Sequence, residues 1–255
     1  MSENVIEVEG LTKVFDRLTA VDGVGFSLAR GQTVALLGAN GAGKTTTISM
    51  LLGLLLPSAG TIRVLGEDMI RHRHRVLDRI NFSSPYVDLP RRLTVGQNLR
   101  FFARLYGVPE PVRRVEALAE ELELREILPQ RSGHISAGQK TRVSLAKALI
   151  NAPEVLLLDE PTASLDPDTA DWVRAYLERY QAQSGTAILL ASHNMTEVER
   201  LCDTVLMMRQ GRIVDRGTPR ELIARYGRRT LEQVFLDIAR NGAEPAARRE
   251  RAAAQ

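Results

Sequence analysis

Cysteine is almost missing from this chain. Cys202 is the only one, so no internal disulfide is possible, which fits a reducing compartment. Long apolar runs are missing too. The longest stretch, Ile48 to Leu56, is interrupted by Ser49 and Gly53 and falls far short of the ~18 residues that a spanning helix needs. The chain is therefore expected not to cross a membrane, and any membrane role requires a partner. No sign of charge prevails: 34 basic residues against 31 acidic ones leave a net +3, which makes no case for nucleic acid. Neither an internal repeat, nor a sustained heptad run, nor a charged-then-apolar leader is visible. What is there is ordinary for a globular protein, with 44% hydrophobic and 25% charged residues. A length of 255 residues suits one large domain, or a domain with a subdomain, and buries a substantial core.

Against this plain background, residues 38 to 46 read Gly-Ala-Asn-Gly-Ala-Gly-Lys-Thr-Thr. The run matches the phosphate-loop pattern, with Gly38, Gly43, Lys44 and Thr45 in the fixed places and Asn40, Gly41 and Thr46 within it. The apolar run Thr33 to Leu37 enters it as a buried strand, and Thr45 to Leu56 leaves it as a helix. Glycines let successive backbone N–H groups turn inward toward phosphate oxygens, and the helix adds its N-terminal dipole. Lys44 can reach the β- and γ-phosphates, and the Thr45 hydroxyl can ligate Mg²⁺.

Elsewhere the periodicity sets out the remaining elements. Residues 5 to 34 alternate apolar and polar, with turns expected at Gly10, Asp22-Gly23 and Arg30-Gly31. Thr61 to Leu65 and Arg79 to Ser83 read as short strands. Helical spacing takes over from Thr94 to Ala152, with Leu99, Phe102, Ala103 and Tyr106 three and four apart, and Pro109 and Pro111 separating two helices. Val155 to Leu158 and Ala187 to Ala191 are apolar strands, and Pro167 to Gln183 joins them as a helix, a parallel βαβ pattern. A hairpin turning at Gln210-Gly211 and helices near 219–226 and 230–240 follow, then a tail from 241 to 255 expected to be flexible. The basic cluster Arg71 to Arg75 reads as a solvated face, and His72 with His74 is not a metal pair, because i,i+2 side chains on a helix diverge.

Two further constellations carry chemistry. The strand Val155 to Leu158 delivers Asp159 and Glu160 at its C-terminal end, where ligands sit in parallel sheets. Asp159 is placed to hold Mg²⁺, and Glu160 to polarise an attacking water. Upstream, Ile135-Ser136-Ala137-Gly138-Gln139 precedes an amphipathic helix from Lys140 to Ile150, with Ser136 as a natural N-cap.

That stretch resembles the signature motif of the ATP-binding cassette transporter ATPases, commonly written Leu-Ser-Gly-Gly-Gln. Ser164-Leu165-Asp166 resembles the D-loop of that family, His193 its switch histidine, and Phe15 stands where the family places an aromatic that stacks on adenine. The resemblance runs from about residue 5 to 240. It implies an α/β fold: a P-loop NTPase core with a mixed sheet, an N-terminal antiparallel β subdomain and an α-helical subdomain inserted at about 90–152, all in one domain over 1–240. It also implies ATP and Mg²⁺ as ligands, with Thr45 and Asp159 on the metal. Glu160 and His193 would be the catalytic pair, with His193 on the γ-phosphate, and Ser136, Gly138, Gln139 and Asp166 would serve a nucleotide sandwiched between two cassettes. The implied partners are a second copy of the chain or a related cassette, packed head to tail, and a separate membrane-spanning permease at the cytoplasmic face of the cell membrane. Nucleic acid is not expected. The segment Leu93 to Gly107 and the helix Thr230 to Leu236 are similar to the branch that exports drugs, lipids or polysaccharides.

Two departures stand out. Ala137 replaces the first signature glycine, which costs about 1 kcal/mol if that position needs positive φ and little if it does not. Pro85 stands where the family places a Gln that contacts Mg²⁺ and couples to the permease, so Ser84 or a water is expected to take over that contact. The competing readings are a cassette ATPase acting on DNA or the ribosome, and a non-hydrolytic regulator. The lack of a second cassette or coiled coil speaks against the former, and the presence of Lys44 and Glu160 against the latter.

Overall fold

The computed structural model of the protein describes residues 3–84, 88–163 and 165–241. Pro85, Ser164 and the expected tail beyond 241 lie outside the described residues. Along the chain run β1 (Asn4–Phe15), β2 (Leu18–Ala29), β3 (Thr33–Leu37), α1 (Lys44–Leu51), β4 (Ala59–Val64), β5 (Glu67–Asp68), β6 (Ile80–Ser83), α2 (Val95–Leu105), α3 (Pro111–Glu121), α4 (Ala137–Ala148), β7 (Val155–Asp159), α5 (Pro167–Ser184), β8 (Ala187–Ser192), α6 (Met195–Leu201), β9 (Thr204–Arg209), β10 (Arg212–Gly217), α7 (Pro219–Tyr226) and α8 (Leu231–Asn241). They form two compact units, Met1–Arg73 with Ala187–Gln255, and His74–Thr186.

In the first unit, β1 is the centre of an antiparallel sheet ordered β2-β1-β4-β5. Its two long strands are joined at Asp16-Arg17, where Phe15 pairs with Leu18. The turns expected at Gly10 and Asp22-Gly23 are instead bulges inside β1 and β2, because the ladder slips between Val8 and Leu11 and again between Leu11 and Lys13. A glycine at a bulge and one at a turn look alike in sequence, and only the long-range register separates them. The second sheet of this unit places β3 between β8 and β9, parallel to both, with β10 antiparallel on β9. This is the mixed sheet that the sequence implied. Every residue of β3 and β8 is buried, which is why both read as unbroken apolar runs. The helix after the phosphate loop ends at Leu51 and does not reach Leu56. Its last carbonyls are closed off by the N–H groups of Gly53, Leu54 and Leu55, and Arg73 Nη1 caps the Gly53 carbonyl at 2.7 Å. The leucines that follow are a turn, with Leu54 and Leu56 exposed. Of the basic cluster, Arg73 is thus tied to backbone, and His72 faces Glu67 at 3.8 Å.

The second unit holds the parallel pair β6 and β7 and the helices α2 to α5. α2 starts with a capping box: Thr94 accepts from Gln97 N, and the Gln97 side chain accepts from Thr94 N. Val95, Leu99 and Ala103, four apart, form its buried face, each Val or Leu contributing about 1.5–3 kcal/mol by burial. α3 begins with Pro111 in its first turn, where the missing N–H costs nothing. α5 begins the same way at Pro167, under the Asp166 cap, and ends at Gly185 in the left-handed region, φ 65°.

Candidate functional site

The phosphate loop begins where β3 ends. A Cβ on Gly38 would lie 2.6 Å from the Met208 carbonyl oxygen, and one on Gly43 would lie 2.6 Å from that of Ala20. Gly43 also has φ 104° and is the N-cap of α1. Only glycine fits at either place, so the sequence pattern has a steric cause. Lys44 is 6% exposed, and its ammonium donates to the Gly38 carbonyl at 2.7 Å and the Ala39 carbonyl at 3.3 Å. The cation therefore sits inside the curl of the loop. α1 carries no acidic residue in its first turn, so nothing on the helix competes with an anion for its N–H groups. Asn40, Gly41 and Thr45 are exposed and Thr46 is half-buried. Phe15, 43% exposed at the end of β1, presents a ring with the Lys13 ammonium 5.1 Å from its centroid.

His193 follows β8 and is exposed. The bend that carries it is held from beneath. Buried Ser192 donates to Glu197 Oε2 at 2.6 Å and accepts from Asn194 N at 3.0 Å. Asn194 caps α6 by accepting from Thr196 N and Glu197 N. Ser192 and Glu197 escaped the sequence reading, although the spacing Asn194-x-x-Glu197 was a visible helix-start signal.

In the second unit, β7 ends on Asp159 and Glu160 follows it, 4% and 8% exposed. Glu160 has φ 50°, a left-handed conformation costing about 1–3 kcal/mol for a non-glycine residue. Its carbonyl closes a turn by accepting from Ala163 N at 3.1 Å, so the strand stops sharply and leaves the carboxylate at its mouth. Ser136 caps α4 in a full capping box with Gln139, at 3.2 Å and 2.9 Å. Gly138 lies in the first turn, where a Cβ would come 3.4 Å from Thr169. Asp166 caps α5 by accepting from Thr169 N at 2.9 Å, a bond that holds its carboxyl below the usual carboxylate range. Two helices thus start side by side. Arg142 of α4 also lies over the Trp172 ring of α5, 4.2 Å from its centroid, and Trp172 stacks on Tyr176 at 5.6 Å.

A cavity of about 210 Å³ brings Glu160 together with Ser83, Ser84, Ala137, Thr141 and Ser144. Further along α4 stands a buried cation. Lys147 donates to the Phe82 carbonyl at 2.9 Å and lies 4.3 Å from the Phe82 ring centroid, and burial pushes its ammonium down to about 8. Among the described residues no cluster of metal-ligating side chains is assembled, and no helix is long and apolar enough to cross a membrane.

A family model described as ABC transporter matches residues 21–163. The chain belongs to the ABC transporter family. It is 42% identical over 226 residues to the Nod factor export ATP-binding protein I of Ralstonia nicotianae, covering 87% of this chain and 70% of that protein. A solved structure of the ATP binding subunit of an ABC transporter superposes with a TM-score of 0.84 at 29% identity, covering 92% of this chain and all of that one. A second, cbiO1 of Clostridium perfringens, described as part of an ABC transporter complex, gives 0.78 at 30% identity over 94% and 96%. The fold is that of an ABC cassette, with a P-loop core, an antiparallel β subdomain and an inserted helical part, and the activity is that of an ABC ATPase. A role on DNA or the ribosome finds no support among these relatives.

Family membership gives the two departures a sharper meaning. Ala137 is the first residue of α4 and is not among the positive-φ residues, so alanine sits at this position without backbone strain. The Pro85 position lies outside the described residues. Its neighbour Ser84 lines the same cavity as Glu160.

Proposed function

We propose that this ABC ATPase powers a membrane exporter. Residues 1–240 act as one cassette, which pairs head to tail with a second copy or a related cassette and binds a separate permease at the cytoplasmic face of the cell membrane. The observation that carries the reading is the phosphate loop. Two glycines leave no room for a side chain, and a buried lysine points into the curl. Triphosphate fits this donor set of inward N–H groups and one ammonium. Export is supported by the 42% identity to a protein named for it, and a permease partner by the likeness to a cassette described as part of a transporter complex.

In this reading Gly38, Asn40, Gly41, Gly43, Lys44, Thr45 and Thr46 hold the phosphates, and Phe15 stacks on the base. Thr45 and Asp159 would hold Mg²⁺, which when bound neutralises phosphate charge. Ser136, Gly138 and Gln139 present the start of α4 to the γ-phosphate bound by the partner cassette, each dipole contact adding about 0.3–1 kcal/mol, and Asp166 presents the start of α5. Glu160 orients a water and takes its proton as the water oxygen bonds to the γ-phosphorus. The bond to the β-phosphate bridging oxygen breaks, and ADP and phosphate are the products. His193 donates to the γ-phosphate. Hydrolysis removes the bridge, and the pair reopens.

Glu160→Gln tests this directly. The variant is expected to bind ATP, lose turnover and accumulate as a closed pair on size-exclusion chromatography. Unchanged turnover, or a variant that stays single with ATP, removes Glu160 from its role.

A further inference from the structure

We infer that Gly211 is a positioning residue: it holds the phosphate loop in register with the β1–β2 hairpin that carries Phe15. The inference rests on the reading of that loop and of Phe15 given above. Gly211 lies in the two-residue turn between β9 and β10, where Arg209 pairs with Arg212. Gln210 has φ 49° and Gly211 φ 78°, the geometry of a tight hairpin turn with both central residues left-handed.

The turn is bonded on both sides. Gly211 N donates to the Ala42 carbonyl of the phosphate loop at 3.1 Å, and its own carbonyl accepts from Asp22 N of β2 at 2.9 Å. The β2 bulge makes the second bond available. Leu11 pairs with Val24 and Lys13 with Val21, so Asp22 and Gly23 stand together opposite Thr12. Gly23 N takes the Thr12 hydroxyl at 3.1 Å, and Asp22 N is left to reach the turn. An Asp22–Arg212 ion pair at 2.6 Å closes the rim.

No side chain separates these three backbones. A Cβ on Gly211 would lie 2.9 Å from the Ala20 carbonyl oxygen and 3.2 Å from Val21 Cα, and a Cβ on Gly43 would lie 3.5 Å from Gly211 Cα. Hairpin, turn and loop therefore stack in close main-chain contact, with the Asp22–Arg212 ion pair at the rim, and Gly211, bonded to both the loop and β2, helps to set the position of the loop relative to Phe15. ATP touches both ends of that stack, with base on Phe15 and phosphates on the loop. Inorganic tripolyphosphate touches only the loop.

The test measures binding of ATP and of tripolyphosphate, with Mg²⁺ present, to the unaltered chain, Gly211→Ala and Phe15→Ala. Gly211→Ala is expected to weaken ATP about tenfold and tripolyphosphate by less than about threefold, because only ATP needs both ends pre-organised. Equal losses for the two ligands, or no loss for either, overturn the role. Where the unaltered chain binds neither ligand, the reading of the phosphate loop has failed. Where it binds both and Phe15→Ala leaves their ratio unchanged, the reading of Phe15 has failed; in both cases this inference falls with it. Should Gly211→Ala not fold, hydrogen exchange on the unaltered protein decides. The Asp22 and Gly211 amides are expected to slow on adding ATP, and unchanged rates overturn the role.

Discussion

Ala137 shows how much one torsion angle decides. Because it opens α4 in helical conformation, glycine would bring it no relief from strain. Ala137→Gly is therefore expected to leave the ATPase rate within about twofold and to lower stability by up to about 1 kcal/mol through helix propensity. A tenfold rise in rate would show that the alanine restrains the signature. Lys147 offers a prediction in pH. Its folded value is about 8 against 10.5 for an unburied lysine, with burial as the cause. Between those values the unfolded chain binds the extra proton, so stability rises with pH across that window. Below it both states are charged, and the native state bears the full cost of burying the ammonium. Lys147→Met is expected to abolish the rise in urea-unfolding stability between pH 8 and 10. The comparison must be made variant against parent, since Tyr176, pushed up by burial with help from the Glu121 carboxylate, acts in the opposite sense at higher pH. Parallel curves for the two proteins would deny the lysine its shifted titration. The sequence marked neither property. Lys147 reads as a polar position on an amphipathic helix, and only the packing of α4 on the end of β6 buries it.

Among the elements, those defined by local chemistry were the ones read correctly. The strand and loop of 33–46, the cap at Ser136, the Gln210-Gly211 hairpin and the final two helices all follow from residues within a few positions of each other. The departures are the helix after the phosphate loop, which stops at Leu51 instead of Leu56, and the places where distant strands decide. Gly10 and Asp22-Gly23 are bulges because β1 must stay paired with β2 on one side and β4 on the other, and no local signal distinguishes that from a turn. Of the candidate site residues, the phosphate loop, Asp159 and Glu160 stand out in the sequence by pattern. The φ of Glu160 and the Ser192–Glu197 brace beneath His193 were not, because both depend on burial. The α4 start can be tested as a unit. Ser136→Ala removes one half of the capping box and is expected to cost about 1 kcal/mol in thermal unfolding, while Ser136→Asp retains the cap. A Ser136→Asp variant with normal stability but lost ATPase would separate capping from contact with nucleotide, and normal activity in both variants would leave the serine a cap alone.

For the assembled molecule, the cavity that Ser84 and Glu160 share bears on control. With proline at position 85 and Ser84 on the cavity wall, hydrolysis is expected to be slow in the isolated chain and to rise when the permease docks. ATPase rates with and without the copurified permease check this, and Ser84→Ala should reduce the stimulated rate more than the basal one. Fast turnover by the isolated chain would count against it. A practical consequence follows from the pairing of Arg142 with Trp172 across α4 and α5. Trp172 is the only tryptophan in the sequence, so every photon of indole emission comes from beside α4. The native chain carries its own optical gauge there, and the proposed pairing of cassettes over this helix can be looked for in real time by stopped-flow fluorescence without attaching a dye.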